Sequence, residues 1–200
     1  MEHVGVLIGA LVGGYVLGAV PFGIVVSKCL GAIDPQTAGS RNVGFTNVLR
    51  VSGRTAGILT LIGDMGKGWM MGWLGAYLFE VEWAVLLTAL APILGHLYSV
   101  FLKFRGGKGV ATALGAVLGV APLIGVSLLA VWLLAVAVWR YSSGGALSAF
   151  GLFPILSIFL RPTLEFVGFS LIVSALIWIK HKENVARLWS GTESRIGHTS

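Results

Sequence analysis

Three polar stretches interrupt an otherwise apolar chain, and each carries residue types suited to phosphate. The plainest is Phe104-Arg105-Gly106-Gly107-Lys108-Gly109-Val110-Ala111-Thr112, which runs directly into an apolar segment. Glycines let backbone N–H groups approach an anion, and a helix start offers further unpaired N–H groups with a partial positive charge. Lys108 adds a full charge at that point, so the stretch reads as a phosphate cradle. It is not a nucleotide P-loop, because G-x-x-x-x-G-K-[ST] is missing and no strand pattern precedes it. The competing reading is a basic anchor at a membrane surface.

The first stretch, Gly39-Ser40-Arg41-Asn42-Val43-Gly44-Phe45-Thr46-Asn47, leads to Arg50. Its Ser, Thr and Asn residues suit a tight turn capping the following helix. They equally suit a donor-rich surface on which Arg50 presents a planar fork to phosphate. The third stretch holds His181-Lys182-Glu183-Asn184, then Arg187 and Gly191-Thr192-Glu193. Three residues apart on a helix, His181 and Asn184 share one face, and Glu193 can pair with an arginine. Two charges lie inside an apolar run: Asp64 and Lys67, also three apart, can neutralise each other. Intramembrane ionisable groups are costly and are functional candidates by default. Lys67 and His96 are therefore candidates for substrate contact, with orientation of the surrounding helices as the alternative for the Asp64–Lys67 pair, and Thr112 at the end of the Gly-rich stretch is a further candidate.

The elements that must hold these residues are membrane helices. Hydrophobic residues make up 56% of the 200 and charged residues 11%, against about 25% charged in a soluble domain. So few charges could not cover a folded surface in water. Twenty-nine glycines without a collagen period fit close packing between membrane helices. Seven segments are expected as spans, about 4–27, 56–79, 83–102, 109–122, 123–139, 146–160 and 163–179. Pro122 could instead kink one long helix over 109–139. With the N-terminus outside, twelve of the fourteen Lys and Arg fall in inner loops, while Lys67 is within a span and Arg161 faces outward. Glu2, Glu80, Glu82 and Glu165 all fall outside. A six-span arrangement would put Lys180, Lys182, Arg187 and Arg195 on the wrong side.

The fold class is thus all-α, a polytopic membrane bundle of one domain over residues 1–200, N-out and C-in. Met1-Glu2-His3 lacks the basic start of a cleavable signal, so the first run is expected to remain as a helix. The net charge of +6 has no aqueous domain on which to bind nucleic acid, and it serves topology instead. One cysteine, Cys29, excludes an intramolecular disulfide framework, and the dispersed acids predict no metal site.

Read together, the stretches resemble the bacterial acyl-phosphate:glycerol-3-phosphate acyltransferases, and the resemblance covers essentially the whole chain. That family carries G-S-G-N-x-G-A-T-N with a following Arg, then D-x-x-K-G, then G-H-x-x-P-V-F with F-[KR]-G-G-K-G-V-A-T, and finally H-[RK]-x-N-x-x-R-L with G-T-E. All four are here in order, with three departures: Arg41 for Gly, Phe45 for Ala and Ser99 for Pro. The resemblance implies a bacterial inner-membrane enzyme with its site on the cytoplasmic side. It would pass a fatty acyl group from acyl phosphate to the 1-hydroxyl of glycerol 3-phosphate, without a cofactor. Its partners would be those two substrates, membrane lipid and the enzyme supplying acyl phosphate. It implies catalytic roles for Ser40, Arg50, Lys108, His181 and Asn184. Asn42, Thr46 and Asn47 would shape the substrate pocket, Gly106, Gly107 and Gly109 would bind phosphate, and Asp64 and Glu193 would be structural.

Cys29 has no identified base partner and Ser40 has no nearby His in sequence, so direct attack by the glycerol hydroxyl is the simplest chemistry. The H-x-x-x-x-D motif of soluble-type glycerolipid acyltransferases is also missing, positions 101 and 186 being Phe and Ala. The rival from another class is a small transporter of a phosphorylated solute. It suits the intramembrane charges but lacks an inverted repeat.

Overall fold

The computed structural model describes residues 2–196, and among them every regular element is helical. The chain divides into two compact units, Met1–Val120 and Ala121–Ser200.

The first unit contains α1 (Glu2–Ala19), α2 (Phe22–Cys29), α3 (Phe45–Ser52), α4 (Arg54–Leu78), α5 (Glu82–Leu97), a single 3-10 turn at Val100–Leu102, and α6 (Val110–Val120). Pro21, which cannot donate an N–H, separates α1 from α2, and the pair bends by 48°. Small residues let these helices approach backbone to backbone, the usual solution where lipid removes any hydrophobic drive to associate. Gly68 and Gly72 of α4 face Gly115 and Gly119 of α6. A side chain on Gly68 would strike the Thr112 carbonyl, and one on Gly115 the Met65 carbonyl. Gly18 of α1 and Gly95 of α5 pack the same way, against Pro92 and Tyr15. The charges of α4 are thereby held close to the residues that open α6 and close α5.

The second unit contains α7 (Pro122–Trp139), α8 (Ser142–Leu160), α9 (Leu164–Lys180) and α10 (Lys182–Trp189). Its core is aromatic: Phe153 meets Phe150, Phe166 and Phe169 edge to face, with centroids 6.1–6.2 Å apart. Thr163 caps α9, its hydroxyl accepting from the Phe166 N–H. The bend between α9 and α10 is 61° and falls at His181.

Of the expected spans, 56–79, 109–122, 123–139, 146–160 and 163–179 each overlie a single helix, whereas 4–27 is broken into α1 and α2 and 83–102 into α5 and the 3-10 turn. Pro122 ends one and begins the next, as the first residue of α7. By length and apolarity alone, 82–102, α7 and α8 can each cross a membrane, and the bent pairs α1–α2 and α9–α10 raise the number to five. The 25 residues of α4 reach roughly 38 Å, but Asp64 and Lys67 interrupt its apolar run. The 11 residues of α6 reach about 16 Å, half the hydrocarbon thickness of about 30 Å. Large apolar side chains such as Val12, Leu134, Val138 and Ile172 are exposed, as lipid-facing positions should be.

Candidate active site

The loop before α3 is organised by one buried amide. Asn47 accepts from the Ser40 N–H at 2.9 Å and donates to the carbonyls of Pro35, Asn42 and Ala38 at 2.9, 2.9 and 3.2 Å. Asn42 Oδ1 accepts from the Gly44 N–H at 2.9 Å. No side chain caps α3, whose cap residue is Gly44. The polar residues thus build the loop and not the helix start. The result is an exposed Ser40 and a half-buried Arg50, with no hydrogen bond or ion pair of the Ser40 hydroxyl or the Arg50 guanidinium among the described residues. Thr46 lies half-buried in the first turn of α3.

After α5 the chain reverses through Lys103 and Phe104, both left-handed, and the Phe104 N–H returns to the Ser99 carbonyl at 2.8 Å. This brings Gly106 and Gly107 onto His96. The Gly107 N–H donates to the His96 carbonyl at 3.0 Å, and a side chain on Gly106 would overlap that same carbonyl. A side chain on Gly107 would overlap the imidazole Nε2. These two glycines are required by the approach of backbone to His96 before any ligand is considered. The other imidazole nitrogen, Nδ1, lies 3.0 Å from Lys67 Nζ, which also donates to Asp64 Oδ1 at 2.8 Å and to the Val20 carbonyl at 2.9 Å. Asp64, Lys67 and His96 are all buried. Thr112, in the first turn of α6, is fully buried and its hydroxyl has no partner among the described residues. Lys108 and Gly109 stand between this loop and α6, Lys108 half-buried.

In the second unit, His181 and Asn184 are both buried, at the bend and in the first turn of α10. The Ile177 carbonyl, which can only accept, lies 2.8 Å from His181 Nδ1, so that nitrogen carries a proton. α10 ends in a Schellman motif: left-handed Gly191, with the Thr192 N–H on the Arg187 carbonyl at 2.9 Å and the Gly191 N–H on Leu188. That turn sends Glu193 back along α10. Its carboxylate accepts from Asn184 at 2.6 Å, Ser143 at 2.6 Å and Arg187 at 2.7 Å. Burial alone would raise the Glu193 carboxyl, but these three donors and the Arg187 charge together hold it below the ordinary glutamate value. Among the described residues no group of three or more His, Cys, Asp or Glu gathers as a metal site.

A family model described as glycerol-3-phosphate acyltransferase matches residues 8–191. A glycerol-3-phosphate acyltransferase of Bordetella pertussis is 48% identical over 191 residues, covering 92% of this chain and 88% of that protein. One from Burkholderia vietnamiensis is 43% identical over 194 residues, covering 96% and 91%. The chain belongs to the glycerol-3-phosphate acyltransferase family. The fold agrees with a crystal structure of PlsY (YgiH), an integral membrane glycerol 3-phosphate acyltransferase, in its glycerol 3-phosphate form. The TM-score is 0.91 at 35% identity, with 96% of each chain covered. Its lysophosphatidic acid form gives 0.89 at 35% identity.

Two of the three departures from the expected family pattern have a structural account, and nothing in the structure explains Phe45 in place of Ala. Arg41 stands where the family carries Gly and has φ +57°, the left-handed conformation for which glycine is the default. Phe45 opens α3 directly after the Gly44 cap. Ser99, in place of Pro, is buried and donates its hydroxyl to the Ala19 carbonyl at 2.6 Å, a tie that proline could not make. Ser143 was not among the expected site residues. Its signal was present as Ser142-Ser143-Gly144-Gly145 at the start of an apolar helix.

Proposed function

We propose that this protein transfers a fatty acyl group from acyl phosphate to the 1-hydroxyl of glycerol 3-phosphate. The products are 1-acylglycerol 3-phosphate and inorganic phosphate. The observation that carries the proposal is a guanidinium without an acceptor among the described residues: Arg50, on the helix whose preceding loop is built around Asn47. A half-buried Arg fork with nothing to bind is suited to a phosphate, and both substrates carry one. The Gly106–Gly109 loop with Lys108 offers a second phosphate-binding surface.

Acyl phosphate is already activated, so the protein need mainly position the reactants and stabilise developing charge. The glycerol hydroxyl oxygen bonds to the acyl carbonyl carbon, and the carbon–oxygen bond to phosphate breaks. The hydroxyl proton passes to an oxygen of the departing phosphate. No acyl-enzyme forms. A phosphate oxygen of the donor serves as base, and the Nδ1–H of His181 is directed to the Ile177 carbonyl. Ser40 and Arg50 handle phosphate, Asn42, Thr46 and Asn47 shape the pocket, and His181 and Asn184 bind substrate. Glu193 keeps Asn184 and Arg187 in place. Residues 1–200 act as a single catalytic domain in the bacterial inner membrane, N-terminus outside and site on the cytoplasmic side, supplied by an enzyme that makes acyl phosphate.

The test uses detergent-purified protein with radiolabelled glycerol 3-phosphate, offering palmitoyl phosphate or palmitoyl-CoA in parallel. Label entering lysophosphatidate with acyl phosphate alone is the expected result. Label entering with the CoA ester alone would overturn the donor.

A further inference from the structure

The buried cation of α4 meets three acceptors, and an ammonium has three N–H donors. Asp64 Oδ1, the Val20 carbonyl and His96 Nδ1 surround Lys67 Nζ at 2.8, 2.9 and 3.0 Å. Because an ammonium has no lone pair, Nδ1 must accept the third bond. The alternative, an Nδ1–H directed to Asp64 at 3.4 Å, would set two donors against each other at 3.0 Å. The proton of a neutral His96 therefore sits on Nε2.

That Nε2–H is a donor without a recipient. His96 is 6% exposed, and its Nε2 has no partner among the described residues. The nitrogen is aimed at the Gly-rich loop, lying where a side chain on Gly107 would be. The loop adjoins Lys108 and the start of α6. Nε2 is not among the fully buried polar atoms that lack a partner, so this donor keeps some access, and an anion at the loop would accept its hydrogen bond.

We propose that His96 is an anion-binding residue of the Gly106–Gly109 loop, its Nε2–H donating to a phosphate oxygen of a bound substrate. Asp64 and Lys67 are positioning residues that hold the imidazole in the donating tautomer without touching the ligand. This rests on the acyl-transfer proposal above and adds to it a role for the intramembrane ion pair. The phosphate belongs either to glycerol 3-phosphate or to the acyl donor, and the kinetics distinguish the two.

The experiment measures kcat and both KM values for wild type, H96F, H96Q and the double variant D64N/K67M, as full chains in detergent. If wild type does not turn over, the acyl-transfer proposal fails; inorganic phosphate, titrated by calorimetry into wild type and H96F, then still tests His96. H96F is expected to raise the KM of one phosphate substrate by about 10-fold or more, with kcat within about 3-fold. The substrate whose KM moves is the one at the loop. H96Q, whose amide N–H reaches the position of Nε2–H, is expected to stay within about 3-fold of wild type, as a rescue by a conserved donor. D64N/K67M removes both charges together and should raise the same KM by a smaller factor. Unchanged KM values in H96F, or equal loss in H96F and H96Q, would overturn the proposal. Should H96F not fold, 15N-histidine NMR of wild type decides, with His96 assigned by elimination through H3Q, H181Q and H198Q. The expected spectrum has Nε2 protonated and responding to inorganic phosphate or glycerol 3-phosphate. An Nδ1–H tautomer, or no response to either compound, would contradict it.

Discussion

Asn47 and Glu193 do the same job by opposite means. Each is one side chain that gathers a loop: Asn47 the segment before α3, Glu193 the tail after α10. Asn47 is neutral and bonds only backbone groups, four of them. Glu193 is charged and bonds only side chains, those of Ser143, Asn184 and Arg187. A hub on the backbone fixes the path of the chain whatever side chains it carries, and leaves the Ser40 hydroxyl and the Arg50 guanidinium without a partner among the described residues. A hub on side chains fixes those side chains directly and ties their geometry to its own ionisation. The first arrangement suits residues that must meet a ligand; the second suits residues that must be held in place.

The comparison is sharpened by an extreme case, the Asp64–Lys67 pair, where both partners are charged and buried. Lys67→Met alone strands a buried carboxylate and should cost about 3–5 kcal/mol, whereas D64N/K67M should be far milder. Thermal melts of the two purified variants check this, and equal losses would contradict it. Asn47→Ala orphans the Ser40 N–H and several carbonyls and should cost about 2–3 kcal/mol, read as a lower melting temperature and faster proteolysis within 34–44. Arg50→Lys keeps the charge but loses the fork. It should lower kcat/KM about 10- to 100-fold with an unchanged melting temperature. Glu193→Gln should cost about 1–2 kcal/mol, and its effect should depend on pH. The folded carboxyl titrates below its unfolded value. Its stabilisation is therefore complete above about pH 4.3 and is lost as the pH falls through the folded value. The wild-type advantage over Glu193→Gln should shrink on acidification, whereas that over Asn47→Ala should not. The smallest effect is expected of Arg41→Gly, a gain of up to about 1 kcal/mol from relieving a left-handed arginine.

The apolar runs and Pro122 made most of the helices legible, but the break at Pro21 was not: 4–27 reads as one span and folds as α1 and α2. The four polar blocks were legible as the pattern of the family to which the chain belongs. The division of labour inside each block was not. Asn47 and Arg50 lie three residues apart, and only the fold distinguishes the saturated amide from the unpartnered guanidinium. Nor could spacing tell that Gly106 and Gly107 pack on His96, or that Ser143 reaches Glu193 across 50 positions and Ser99 ties to Ala19 across 80. Such contacts depend on how helices pack, and local patterns do not encode it.

The central claim is that, in the block around the start of α3, the saturated Asn47 carries the fold while Arg50, unpartnered among the described residues, carries the substrate. It is tested most directly by measuring acyl transfer and melting temperature on the same preparations of Arg50→Lys and Asn47→Ala. The account predicts that Arg50→Lys melts with wild type while losing most of its turnover, and that Asn47→Ala melts several degrees earlier. An Arg50→Lys protein that turned over normally, or whose melting temperature fell as far as that of Asn47→Ala, would contradict it.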